Sequence, residues 1–147
     1  MTPIDLNDDE VLGFLKALQT EDVKYLLVGG FAMAFHGYVR ATQDLDLWIK
    51  DSHENLQKLK TALKKCGVEG IDQIGELELI AGFTQFTIGD SGFVVEPMKR
   101  LKSFTSYDFD ACYFRAQEGE YKHVKFKVIN PKDLLTEKQA TNRPKDQ

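Results

Sequence analysis

Lys24-Tyr25-Leu26-Leu27-Val28-Gly29-Gly30, followed closely by Asp44-Leu45-Asp46-Leu47-Trp48-Ile49, is the stretch whose reading decides the fold. Its first part is a short apolar run ending at two glycines, which suits a buried strand better than a helix of that length. Phe31 to His36 then reads as a short helix entered from the glycines, and Gly37 ends it in a left-handed conformation that glycine adopts cheaply. Asp44 to Ile49 is a second strand. Side chains along a strand alternate between faces, so Asp44 and Asp46 share one face while Leu45 and Leu47 take the other. Two anions held side by side repel and raise each other's proton affinity, and a hard divalent cation is the usual offset. The glycine turn presents the first helical amides to phosphate oxygens. Each part also has a plainer reading: a half-exposed strand alternates for packing reasons, and a tight strand-to-helix turn needs glycine with or without a ligand. Their coincidence points to a metal-dependent site for a nucleotide.

Outward from this unit, Asn7 or Asp8 caps a first helix with Val11, Leu12, Leu15 and Leu18 at helical spacing. Ser52 caps another, with Leu56, Leu59 and Leu63 on one face and Gly67 as its stop. Phe83 to Ile88 and Phe93 to Met98 flank Gly89-Asp90-Ser91-Gly92 and read as a hairpin. Tyr107 to Ala116 fits helix or strand, Lys122 to Ile129 reads as a strand, and Asn130-Pro131 opens a helix running through Asn142. The fold class that results is α/β (α+β): one domain with a mixed sheet flanked by helices.

A chain of 147 residues fits a single domain, and 42% hydrophobic with 29% charged residues is an ordinary globular composition. The net charge of −4 offers no global attraction for a nucleic-acid backbone. Cys66 and Cys112 lack partners at metal-ligand spacing, so reduced, buried thiols are expected. No segment approaches the ~20 apolar residues that span a bilayer, and a cytoplasmic protein with no membrane partner is the expectation.

Among residues that can carry chemistry, Arg40 and Thr42 lie just before the acidic strand, where a guanidinium pairs either with a triphosphate or with the nearby aspartates. Glu96, set among apolar neighbours in Phe93-Val94-Val95-Glu96-Pro97-Met98, is the candidate third carboxylate. The alternative is an edge-strand glutamate facing water, which Pro97 makes credible. Asp108 and Asp110 compete for the role without a glycine turn beside them. His36 reads as a packed or capping histidine, and Lys138 as a cation that reaches a phosphate or belongs to a solvated face.

Gly29-Gly30, then His36-Gly37, Arg40, Thr42 and Asp44-Leu45-Asp46 resemble the signature of the polymerase-β-type nucleotidyltransferase superfamily. The likeness is to its small bacterial members, those related to AbiEii-type toxins and to minimal nucleotidyltransferase antitoxins. Glu96 falls where that family places a third acid, usually aspartate, and the extra methylene moves its oxygens by about 1.5 Å. The stretch from Asp133 through Lys138 to Arg143, Lys145 and Asp146 resembles the family's closing helix, which related sequences often continue. The resemblance implies transfer of a nucleoside monophosphate from an NTP to an acceptor hydroxyl, on a partner protein or an RNA in a toxin–antitoxin-like system. It implies two Mg²⁺ ions held by Asp44, Asp46 and Glu96, and phosphate contacts from Gly29, Gly30, Arg40, Thr42 and Lys138. Glu96 is also a general-base candidate. Two rivals stand beside it. One is an antitoxin-like module that binds a partner through an apolar patch of Phe104, Tyr107, Phe109 and Tyr113. The other is a small-molecule nucleotidyltransferase whose acceptor pocket comes from a helical partner or a second copy.

Overall fold

A computed structural model describes residues 5–38, 44–71, 85–90 and 92–141. The order is α1 (Asp9–Thr20), β1 (Tyr25–Val28), α2 (Gly29–Phe35), β2 (Asp44–Ile49), α3 (His53–Lys65), β3 (Phe86–Ile88), β4 (Phe93–Met98), α4 (Phe109–Phe114), β5 (Gln117–Tyr121), β6 (Val124–Val128) and α5 (Pro131–Thr141). The strands form one mixed sheet in the order β3-β4-β2-β1-β6-β5. The β1–β2, β3–β4 and β5–β6 pairs are antiparallel, while β1–β6 and β2–β4 are parallel. The mixed α/β architecture read from the sequence is the one observed. Among the described residues, no helix is long and apolar enough to cross a membrane.

Local chemistry explains the element ends. Asp8 caps α1 by accepting from the amide of Glu10 at 2.8 Å, and Ser52 caps α3 by accepting from the amide of Asn55. Asn130 accepts from the amide of Lys132 at the start of α5. Helix α1 buries Val11, Phe14, Leu15 and Leu18, each worth about 2 kcal/mol of apolar burial. Phe14 packs on Phe93, which shares a sheet face with Leu45 and Leu47 by the β2–β4 register. That face is the apolar one. Asn55 ties α3 to the sheet: its side chain accepts from the Lys24 amide and donates to the Lys24 and Lys50 carbonyls.

The opposite face carries Asp44, Asp46 and Trp48. Trp48 is fully buried, donates its indole N–H to the Lys99 carbonyl at 3.0 Å, and packs against Phe109 and Phe104. It thereby holds the segment after β4 over the face that bears the aspartates.

Several expectations are corrected. The patch proposed around Phe104, Tyr107, Phe109 and Tyr113 is not formed as drawn. Phe109 is core, and Phe104 and Tyr113 are half-buried against it, which leaves Tyr107 exposed, joined by Phe114. The ambiguous segment is a 3₁₀ turn at Ser106–Asp108 followed by α4. Strand β5 was not foreseen, and Lys122 and His123 form the turn into β6 at φ 49° and 68°, so that strand starts later than expected. Strand β3 begins at Phe86; the expected residues 83–84, like 142, lie outside the described ones. Cys112 is buried but Cys66 only half-buried. Pro97 does not mark an edge strand, because β4 lies inside the sheet. It is tolerated there because the described β3 pairs with β4 only as far as Val95.

Candidate functional site

Strand β1 runs antiparallel to β2 with Val28 opposite Asp46, so the chain turns from β1 into α2 beside that carboxylate. Gly29 makes the turn at φ +67°, and a Cβ built on it would overlap Oδ2 of Asp46 and stand 3.1 Å from its Cγ. Glycine is therefore required twice, once by backbone conformation and once by the approach of the acid. On the other side of β2, the parallel register sets Asp46 opposite Glu96 and Asp44 opposite Val94. Asp44, Asp46 and Glu96 consequently stand on one sheet face, all half-buried.

Burial and like charge act together on the central member. The Asp46 carboxyl is pushed up to about 7, first by desolvation, then by the Glu96 and Asp44 carboxylates. All three influences raise it, and among the described residues no hydrogen bond or cation meets its oxygens. Glu96 is oriented by Gln85, whose side-chain amide donates to Oε1 at 2.9 Å. Glu96 is thus neither the water-facing edge residue of the alternative reading nor distant from the aspartates.

A cavity of about 260 Å³ opens beside Asp46. Val28, Gly29, Gly30 and Asp46 form its floor. Met33, Met98 and Leu101 make an apolar wall. Helix α5 supplies the facing wall with Leu134, Glu137, Lys138 and Thr141, residues spaced so that they share one helix face. The structure therefore brings Gly29, Gly30, Asp46 and Lys138 to one cavity, with Asp44 and Glu96 flanking Asp46. Arg40 and Thr42 lie outside the described residues, as do Arg143, Lys145 and Asp146.

Other candidates are occupied elsewhere. His36 Nε2 meets the Ile129 carbonyl at 2.7 Å, a packing role that joins the end of α2 to the end of β6. Asp108 closes a capping box with Thr105, and Asp110 pairs with Lys50 at 3.0 Å. Two site residues escaped the sequence reading. Gln85 was legible in principle, because the hairpin register Ile88–Phe93, carried three residues outward, sets it opposite Glu96. Glu137 carried no such signal.

The donor chemistry suits a hard cation: three carboxylates share one face and the middle one lacks compensation among the described residues. They are neighbours rather than a closed ligand shell, since among the described residues no three His, Cys, Asp or Glu side chains stand close enough together to hold a metal ion. No protein-family model, curated protein or solved structure matches the chain.

Proposed function

We propose that this chain is a metal-dependent nucleotidyltransferase that moves a nucleoside monophosphate from an NTP to an acceptor hydroxyl and releases pyrophosphate. The observation that supports the reading most is Asp46 itself. It is pressed against a left-handed glycine, faces a cavity, and its negative charge is disfavoured by burial and by two neighbouring acids, with nothing described to offset it. A protein gains no stability from that arrangement, so a ligand that supplies positive charge gives it a purpose.

In this reading Asp44, Asp46 and Glu96 would hold two Mg²⁺ ions once their carboxylates close on them, and the chemistry such ions would supply is neutralisation of phosphate charge and a more acidic acceptor hydroxyl. Gly29 and Gly30 let the triphosphate approach the backbone closely, and Lys138 pairs with it from the α5 wall. The acceptor oxygen bonds to the α-phosphorus while the bond to the bridging oxygen breaks, and pyrophosphate leaves. The hydroxyl proton passes to a carboxylate. Glu96 suits that task because Gln85 fixes one of its oxygens and leaves the other to accept. The acceptor class stays open between a partner protein and an RNA.

The test is transfer of radiolabelled NMP from each of the four NTPs, with Mg²⁺, to protein and RNA of a cell extract. Wild-type protein labels an acceptor and Asp46→Asn does not; labelling that survives the substitution contradicts the assignment. A second reading, a partner-binding module with weak chemistry, draws on one observation: Tyr107 and Phe114 are 94% and 91% exposed. It is favoured if Asp46→Asn and wild type capture the same partner and neither transfers label.

A further inference from the structure

Glu137 lines the cavity next to Lys138, and a carboxylate is a poor neighbour for a triphosphate. Its charge is turned aside. Oε2 accepts from the Lys102 amide and Oε1 from the Ser103 amide, both at 2.8 Å. Two adjacent backbone N–H groups thus hold both oxygens of one carboxylate, a strong charge-assisted arrangement. The gripped loop is itself part of the site. Leu101 forms part of the cavity wall and its amide donates to the Phe104 carbonyl, while Phe104 packs on Trp48, two residues beyond Asp46 on β2. Near its start α5 is held separately, by the Arg115–Asp133 pair at 2.7 Å. From there on, the Glu137 grip ties the helix to the aspartate-bearing face, and Lys138 is the next residue.

We propose that Glu137 is a positioning residue: by clamping the Lys102 and Ser103 amides it sets the wall of α5 so that Lys138 faces the Gly29–Asp46 cavity. This rests on the nucleotidyltransferase reading for what Lys138 binds, but not for the clamp itself. Charge and position make opposite predictions here. Removing an anion from the cavity would tighten binding of a triphosphate on charge alone, whereas losing the clamp weakens it.

The experiment measures ATP binding by calorimetry in Mg²⁺ for wild type, Glu137→Ala, Glu137→Gln, Lys138→Ala and the Glu137→Ala/Lys138→Ala pair. Amide exchange at Lys102 and Ser103 and the methyl resonances of Met33 and Met98 are followed in the same proteins without nucleotide. The expected result is affinity weakened about tenfold by Glu137→Ala and less by Glu137→Gln, which keeps one acceptor oxygen. No further loss is expected when Glu137→Ala is added to Lys138→Ala. Faster exchange at both amides and shifted methyls should accompany the loss. Unchanged or tighter binding by Glu137→Ala, or full additivity with Lys138→Ala, overturns the positioning role while wild-type binding leaves the nucleotide reading intact. If wild type binds neither ATP nor any other of the four NTPs, that reading fails. Unchanged amides and methyls in Glu137→Ala then overturn the clamp too, and altered ones uphold it.

Discussion

Two carboxylates on this small protein have opposite surroundings. Asp133, at the start of α5, is buried and receives both Nε and Nη2 of Arg115, at 2.7 and 3.0 Å. Asp46, at the heart of β2, is half-buried between two other acids, and its carboxyl is pushed up to about 7. The first is an acid whose cost of burial is offset by a bidentate cation, as structural ion pairs require. The second is left with its cost. In the proposed reading that difference separates a residue kept for the fold from one kept for a ligand, and it can be tested by breaking each side in turn.

Neutralising Asp46 should produce the largest effect. Asp46→Asn is expected to lower NMP transfer by about a thousandfold or more, the scale on which catalytic electrostatics are lost. The metal-free fold should not suffer. Relief of the stressed charge is expected to raise stability by about 1–2 kcal/mol at pH 7.5, roughly 3–6 °C in a thermal melt. Arg115→Ala should do the reverse to the fold, stranding the Asp133 carboxylate. A loss of about 2–3 kcal/mol in a urea melt is expected, toward the low end for buried pairs because the Arg115 side chain is 46% exposed.

Two glycines sharpen the contrast further. Gly29→Ala forces a Cβ into the Asp46 carboxylate, whereas Gly37, at φ +95°, has nothing within 4 Å of its added Cβ. Both substitutions should cost about 1 kcal/mol through backbone strain. Only Gly29→Ala should also cut transfer, by about ten- to a hundredfold, in a steady-state assay of both variants beside wild type.

The smallest effect is on pH. The folded-state value of Asp46 lies above that of the unfolded chain, so the folded protein binds the extra proton and stability falls as pH rises from about 4 through about 7. Melts of metal-free protein across that window should show the decline, and Asp46→Asn should flatten it. For the same reason Mg²⁺ affinity should rise between pH 6 and 8 as the competing proton leaves.

How much of this was legible in the chain depended on whether a feature is local. The acidic strand Asp44–Ile49, the glycine turn, the caps at Asp8, Ser52 and Asn130, and the stop at Gly67 are written in neighbouring residues and were readable. Strand β5 was not. Gln117-Glu118-Gly119-Glu120-Tyr121 is a polar edge strand, and its turn uses Lys122-His123 where asparagine-glycine would have announced it. Phe109 looked like a surface aromatic because only the tertiary approach of Trp48 makes it core. In the candidate site, Asp44 and Asp46 were visible from strand alternation. That Glu96 stands opposite Asp46 depends on a parallel pairing across intervening elements, which no local pattern encodes. The clamp by Glu137 joins a side chain to amides over thirty residues away.

The account turns on whether Asp46 answers to a cation and a nucleotide, and calorimetric titration of Mg²⁺-ATP into wild-type protein and Asp46→Asn asks this directly. Binding that requires Mg²⁺ and disappears with Asp46→Asn, in a protein that melts no lower than wild type, is the predicted result. Binding that is indifferent to Mg²⁺ and to the substitution, or no binding to wild type by any of the four NTPs, would contradict it.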